Sequence, residues 1–444
     1  MSIPTTDAEY NKASRYLQQK VIIYFPGITP VVVTRDDYLI STGTLEEAHA
    51  TSGSIPFGKV SSNELNIKLS SPNGLFAPSN KLSPYYSKMI RGVKIELYTR
   101  PVPDPIEYDW DPMGVYYVTT WSAQVTGITA DITANDKLYD VFKLAQIVYP
   151  IKREISYHDF YSEVFAALGI TAEIDVLLTN KLRYAYIMQD NKAFLSELGV
   201  GALSDCYCKH NGNIVVNYLY KQRVLRATIT DGDQIIDATI NQTIDMSYDG
   251  SEVTCNLPQE SAEQNVLSVK NFSVSASATE TTTMLLSSTP LIRMSKVATT
   301  GAPQVHVINV NATPSEVTFE VQNPNASPYG INIDFFGTII NTYKVTYKDE
   351  GVKLLSIDNK YMQSFLYASM AKDYLHKYVS SELPVLSLNV RGNPKWELGD
   401  KLRIVSERYH LDFTGILISN KSTYDGSFSS ALKLIDATLL EGVI

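Results

Sequence analysis

Between residues 61 and 100 two alternating stretches flank a long polar loop. Leu65, Ile67 and Leu69 point one way along the first stretch, and Val93, Ile95 and Leu97 do the same along the second. A period of two predicts half-buried strands. Pro72, Asn73, Gly74, Pro78, Pro84 and Gly92 lie between them and punctuate the chain with turns. The same strand-and-turn pattern runs from Val21 through VIIYF, ITPVVVT and GVYYVTTWSAQVTG to about Gly127. The period then changes. Leu138, Val141, Phe142 and Ala145 recur at helical spacing, with Thr133 and Asn135 as candidate caps, which predicts a helix over 135–145 closing a barrel-like β unit. Pro150 marks a boundary.

Residues 151–222 predict a small α/β module. Ser156 and Asp159 have capping spacing, Phe160, Val164, Phe165 and Leu168 form one stripe, and Gly169 is placed to end that helix. The strand YAYIM leads to a second helix near Asn191–Leu203, and Asn211-Gly212 between alternating runs predicts a hairpin.

Strands return over 226–258. Residues 259–345 are rich in Ser and Thr, with Val317, Phe319 and Val321 alternating, as do Ile331 and Ile333; a sandwich-like insertion is expected, although the composition also fits exposed loops. Met362, Phe365, Leu366, Met370, Tyr374, Leu375 and Tyr378 then follow a 3.6 period and predict a helix over 359–379. PVLSLNVRG, WELGDKLRIVSE, DFTGILISNKSTYDG and SSALKLIDA predict four antiparallel strands after it.

A chain of 444 residues with 44% hydrophobic and 19% charged residues is too long for one core and too apolar for wholesale disorder. Its 29 Tyr suit half-exposed sheets. The net charge of −9, with no Lys/Arg cluster, argues against a phosphate-neutralising surface. No signal-peptide pattern and no apolar run near membrane-spanning length occurs, and three Cys form no disulfide framework, so folding in the cytosol is expected.

Candidate chemistry is sparse. Cys206, Cys208 and His210 come closest to a metal cluster, but no second ligand pair follows, and packing explains the thiols. Asp104, Glu107, Asp109 and Asp111 around Trp110 could suggest a glycosidase pair beside a sugar-stacking ring, but a solvated, Pro-rich loop explains the same residues and is the reading preferred. Phosphate loops and a GxSxG elbow are absent, and Ser52-Gly53-Ser54 reads as a turn. No catalytic, cofactor-binding or metal-binding residue is therefore assigned, and no enzyme activity is expected. The loop Ser70–Arg91 is the best candidate for partner contact, being too long for a simple hairpin.

The NGLFAPSN turn, SPYY and the GVKI strand resemble the N-terminal part of bacteriophage tail and baseplate hub proteins. The approach TADITANDKLYD, the passage ATINQTIDMSYDGSEV and the Leu398-Gly399-Asp400 turn are similar to the same family, although Gly250-Ser251-Glu252 departs from its usual Asn before the valine. The resemblance implies a mainly β fold with α+β parts: two tube-like β-barrel units each with a helix, a small α/β module and a β-sandwich-like insertion. Domain limits are expected at 1–150 for the first barrel, 151–225 for the α/β domain, 226–258 with 346–444 for the second barrel, and 259–345 for the insertion.

The resemblance further implies a structural hub of a tail tip or baseplate. Such a hub is a homotrimer that adapts a hexameric tail tube to a trimeric spike or tip, and forms part of the DNA channel without binding DNA specifically. Its other neighbours would be distal tail ring proteins and the tape measure protein, and it would be a virion component assembled in the host cytoplasm. The two barrels are expected to share a barrel-plus-helix topology. The alternatives are a receptor- or glycan-binding tail protein, resting on the Tyr content and the 259–345 region, and a cell-wall-degrading tail enzyme. The latter disagrees with a chain that stops at Ile444 just after its last strands.

Overall fold

In the computed structural model, residues 3–10, 12, 16–48, 55–102, 106–123, 128–147, 149–231, 235–237, 248–424 and 428–441 are described. The first unit holds α1 (Asp7–Tyr10), β1 (Leu17–Tyr24), β2 (Val31–Thr34), β3 (Leu39–Ala48), β4 (Glu64–Ser70), β5 (Lys94–Pro101), β6 (Asp111–Ala123), β7 (Thr129–Asn135) and α2 (Lys137–Lys143). Leu65, Ile67, Leu69, Val93, Ile95 and Leu97 all face its core, as their alternation requires.

The α/β module comprises β8 (Lys152–Ser156), α3 (Tyr157–Ala167), β9 (Ala172–Ile174), β10 (Lys181–Ala185), α4 (Asn191–Ala202), β11 (Ser204–Cys208) and β12 (Ile214–Tyr218). Ser156 Oγ caps α3 by accepting from Asp159 N at 3.0 Å. Gly169, at φ +69°, follows its end. The expected hairpin is β11–β12, turning through Gly212 at φ +84°. Of YAYIM only the first two residues lie in β10; Tyr186 leaves the strand, and its carbonyl accepts from Tyr361 Oη at 2.8 Å.

β13 (Leu225–Thr230) and β14 (Ile235–Asp237) begin the second unit, followed by β15 (Gly250–Glu260). The Ser/Thr-rich region is ordered into β16 (Gln264–Val274), β17 (Ala278–Leu285), β18 (Leu291–Gly301), β19 (His306–Ala312), β20 (Glu316–Asn323) and β21 (Tyr329–Lys348). Val317, Phe319, Val321, Ile331 and Ile333 form its interior, between the β17-β20-β19 sheet and β16, β21 and β18. β21 is 20 residues long; beyond the sandwich it pairs with β15, making a two-stranded arm. β22 (Leu354–Asp358) lies parallel to β15.

The last helix, α5 (Phe365–Ser380), starts later than its period predicts, because Ser364 Oγ caps it and Asn359 Oδ1 turns the backbone at Tyr361 first. β23 (Val385–Val390), β24 (Lys401–Ser406), β25 (Leu411–Tyr424) and β26 (Phe428–Asp436) complete the second unit. Thr133 and Asn135 do not cap α2. Both remain in β7, paired with Asn66 and Glu64, and Asp136 is the cap, accepting from Leu138 N.

The strands of the two units form one sheet of 13 strands, because β25 pairs with β3. Within it the order β3-β4-β7-β6-β5-β1 of the first unit recurs as β14-β23-β26-β25-β24-β13 in the second. The correspondence extends to single residues. Gly92 N donates to Val118 O at 2.8 Å and Val118 N to Val93 O at 2.9 Å; Gly399 N donates to Leu417 O and Leu417 N to Asp400 O, each at 2.8 Å. A register shift follows at once in both long strands, between Val118 and Thr120 and between Leu417 and Ser419. Asp136 N binds Asn63 O at 3.1 Å and Asp436 N binds Pro384 O at 3.0 Å, and each Asp side chain then caps the turn that follows. Two features differ. β13 lies parallel to β24 whereas β1 is antiparallel to β5, and a single 3-10 turn, Ala437–Leu440, stands where the first unit has α2.

The two equivalent glycines provide a test. Gly92 and Gly399 sit at φ +84° and +86°, but a Cβ on Gly92 meets open space while one on Gly399 comes within 2.8 Å of buried Tyr207 Oη. Gly92→Ala is expected to lower unfolding stability by about 1 kcal/mol for the left-handed backbone alone. Gly399→Ala should lower it by about 2–3 kcal/mol, and denaturant titration of both variants checks the difference.

Candidate assembly interface

The seam between the units runs from Thr42↔Tyr424 to Ala48↔Ser419. Tyr424 and Phe428, from the second unit, complete the hydrophobic core of the first, and Tyr424 Oη donates to Leu17 O at 3.0 Å. Burial of each such aromatic stabilises the seam by about 1.5–3 kcal/mol. Hydroxyls inside it are paired: Thr42 Oγ1 donates to Gln19 Oε1 at 2.7 Å, and the Ser422 and Ser430 hydroxyls meet at 2.9 Å.

At one end of the seam three parts of the chain meet on His210. The β11–β12 turn presses Gly212 against Val115 of β6, leaving room for no Cβ. His210 is thereby placed with Nε2 3.1 Å from Glu47 Oε1 on β3 and Nδ1 3.7 Å from Glu397 Oε1, ahead of β24. Its backbone N also donates to Glu397 Oε1 at 2.9 Å. His210 and Glu47 are almost fully enclosed. Burial alone would lower the imidazole pKa, but the charges of Glu47, Glu397 and Asp400 outweigh it and hold the value up at about 9. His210 is therefore a cation at neutral pH, linking both units and the α/β module.

Cys206 and Cys208 do not join it. Both thiols are buried in the central core, and burial pushes both pKa values up, which makes them inert packing groups. Cys208 instead lies against Asp136, whose burial pushes its carboxyl up to about 7 against the donors Asn63 N, Leu138 N and the thiol. Among the described residues no group of three His, Cys, Asp or Glu is arranged to hold a metal ion.

The acidic loop around Trp110 is also occupied. Lys20 and Arg100 cover the Trp110 ring, each 4.4 Å from its centroid, so the ring is not a free sugar platform. Glu107 pairs with Arg100 at 2.9 Å, and Asp111 accepts from Tyr10 Oη at 2.7 Å and faces Lys395 at 3.3 Å. Asp104 and Ser52-Gly53-Ser54 lie outside the described residues.

The loop between β4 and β5 is a run of turns. The N–H groups of Gly74, Ala77, Asn80, Ser83 and Tyr86 each donate to the carbonyl three residues back, at 2.9–3.1 Å. Phe76 and Tyr85 stack at 5.4 Å, Tyr85 stacks on Phe25 at 4.7 Å, and Trp121 Nε1 donates to Phe76 O at 2.8 Å. Anchored in this way, the loop presents Leu82, 94% exposed, together with Tyr86 and Ile90. The spacing of its turn residues foretold a loop; the regular three-residue bonding could not be read from it. Glu47, Glu397 and Val115 carried no sequence signal at all, since each gains its role only by meeting the hairpin.

No family model matches the chain, and no curated protein matches it either. Among solved structures it is similar to the 43 kDa tail protein of prophage MuSo2 from Shewanella oneidensis, at 11% identity and a TM-score of 0.53, over 95% of this chain and 100% of that one. It is also similar to the tail protein from Neisseria meningitidis MC58, at 8% identity and a TM-score of 0.51, over 95% and 98% of the two chains. The fold is that of phage tail proteins: mainly β, with barrel-like units, an α/β module and a sandwich. No helix among the described residues is long and apolar enough to cross a membrane.

The pH dependence of stability follows from His210. Its folded pKa of about 9 exceeds the usual 6.5, so its stabilisation is fully present below pH 6.5 and is lost as pH rises through 9. The loss is expected to reach about 3 kcal/mol. His210→Gln should flatten the profile between pH 6.5 and 9.5 in chemical denaturation. His210→Ala alone, leaving Glu47 buried and unpaired, should destabilise more than His210→Leu combined with Glu47→Leu.

Proposed function

We propose that this chain is the central hub of a phage tail tip or baseplate. The observation that supports the reading most is that one chain carries two units of the same strand order, fused edge to edge by β3 and β25. A sixfold tube can meet a threefold spike only through an adaptor with six similar faces on one side and three on the other. Three such chains have that form when heterologous contacts of one kind close them into a ring. In this reading the domains are 1–150 and 226–258 with 346–444 as the two ring units, 151–225 as the module bracing them, and 259–345 as a peripheral insertion on its arm. The exposed Leu82, Tyr86 and Ile90 of the turn-rich loop meet a neighbouring tail protein, tube or distal ring on one side and spike or tip on the other.

The chain works mechanically in this reading, as a virion component assembled in the host cytoplasm, with DNA passing through the ring without specific binding. The net charge of −9 is compatible with a lumen that does not hold phosphates. The covered Trp110 ring and the paired carboxylates beside it favour a structural role over a glycan site or a glycosidase.

Native mass measurement of the purified chain is expected to give three copies. A stable hexamer, or a monomer at every concentration up to aggregation, overturns the ring. Incubation with purified peptidoglycan should release no soluble muropeptides, and release at enzymatic rates would restore the enzyme reading. Leu82→Ser is expected to leave the melting temperature within about 1 °C of wild type, as an exposed position does. It should weaken capture of the neighbouring tail protein at least tenfold in a pull-down from assembling tails.

A further inference from the structure

In the sandwich, β16, β17, β18 and β19 each have a paired strand on one side only. Three of these edges are blunted against strand addition. β17 sets Glu280 among threonines, β16 is broken by two register shifts and bears Lys270, and β18 is broken twice and bears Arg293 and Lys296. β19, HVINVNA, has one shift near its start and no Lys, Arg, Asp, Glu or Pro.

The open backbone groups of β19 follow from its register. Thr313 N donates to Glu316 O at 2.8 Å, and the pairing runs on from there without a break to Asn309↔Glu320. Alternation along an antiparallel strand therefore aims Asn311 and Asn309 at β20 and leaves Val310 and Ala312 with N–H and C=O on the free side. A groove lies beside them. β18 and β19 meet at the 302–305 turn and again where Leu291 N donates to Pro314 O at 2.9 Å. Between these points lies a cavity of about 250 Å³ lined by Val297, Thr299, His306, Val307, Ile308 and Val310. Ile308 is 45% and Val310 38% exposed.

Charge indicates what fits this edge. No carboxylate lines the groove, and Arg293 and Lys296 stand exposed on its β18 margin with no carboxylate partner among the described residues. On its other side β19 already pairs with a strand of complementary design: in β20 the acidic Glu316 and Glu320 share one face, and Val317, Phe319 and Val321 the other.

We propose that the free edge of β19 takes up, by strand addition, an extended segment of another protein in which apolar residues alternate with acidic ones. Main-chain bonds to Val310 and Ala312 hold the segment, its apolar residues cover Ile308 and Val310, and its carboxylates meet Arg293 and Lys296. A second copy of β19 is the poorer occupant, because it brings no carboxylate to those cations. The contact lies on the insertion and goes beyond the hub reading, using none of the surfaces that reading invokes.

A labelled peptide copying Glu316–Asn323, titrated into the full chain, tests it. Binding is expected, and the amides of Val310 and Ala312 should exchange at least tenfold more slowly with the peptide than without. A peptide with Glu316→Lys and Glu320→Lys should bind at least tenfold more weakly to the wild-type chain, and Arg293→Glu in the chain should narrow or reverse that preference. Ile308→Lys should weaken binding at least tenfold while leaving the melting temperature within about 1 °C, as an exposed position does. Failure of the first peptide to bind, equal binding of the two peptides, or unchanged exchange at Val310 and Ala312 overturns the proposal. So does an oligomer in which those amides are already slow without peptide and which Ile308→Lys dissolves, because β19 is then occupied by a second copy. A native mass of three copies that persists in Ile308→Lys keeps the hub reading separate from either result.

Discussion

Strand edges that must find a partner organise this molecule. A β-strand leaves half of its backbone donors and acceptors facing sideways, and those groups are costly to bury unpaired. In each unit one strand, β6 or β25, is longer than the neighbour beside it. The overhang of β25 is satisfied by β3, and that single ladder turns two units into one sheet. The aromatic pair Tyr424 and Phe428 then moves into the first unit's core, so hydrogen bonding sets the register and apolar burial supplies most of the stabilisation.

Around this seam the α/β module acts as a brace. Its helices share the largest core with α2, α5, β15 and β22, so the module has no independent interior of its own. The approach is close enough that Gly58 and Gly199 touch through backbone atoms, and a Cβ on either has no place. His210 extends the brace to the seam itself. A buried cation between carboxylates contributes less to net stability than to geometry, because desolvation offsets much of the attraction. What the cluster fixes is the relative placement of β3, β6 and the turn before β24.

Elsewhere rigidity is achieved without regular structure or with very little of it. The β4–β5 loop holds its shape through successive turns and stacked rings, which makes an exposed Leu82 sterically affordable on a fixed support. The sandwich is carried on the β15–β21 ribbon, whose strands are continuous with both bodies they join.

Local pattern by itself determined the elements. Alternation located β4, β5, β20 and the sandwich part of β21, the 3.6 period located α3 and α5, and Asn211-Gly212 located the hairpin, because each is set by which face a residue must bury. Errors fell at element ends: Asp136 rather than Thr133 or Asn135 caps α2, and α5 begins at Phe365, since a cap depends on where the neighbouring strand stops pairing. The GVKI strand and the Leu398-Gly399-Asp400 turn each stood out in the sequence, yet nothing local revealed them as the same position in two copies. Their likeness lies in backbone bonds to Val118 and Leu417, which tolerate almost any side chain. The pairing of β3 with β25 and the meeting of His210 with Glu47 and Glu397 were decided only by tertiary structure. Both join residues far apart in the chain, and no period or spacing along one strand can encode which distant edge comes to lie beside it.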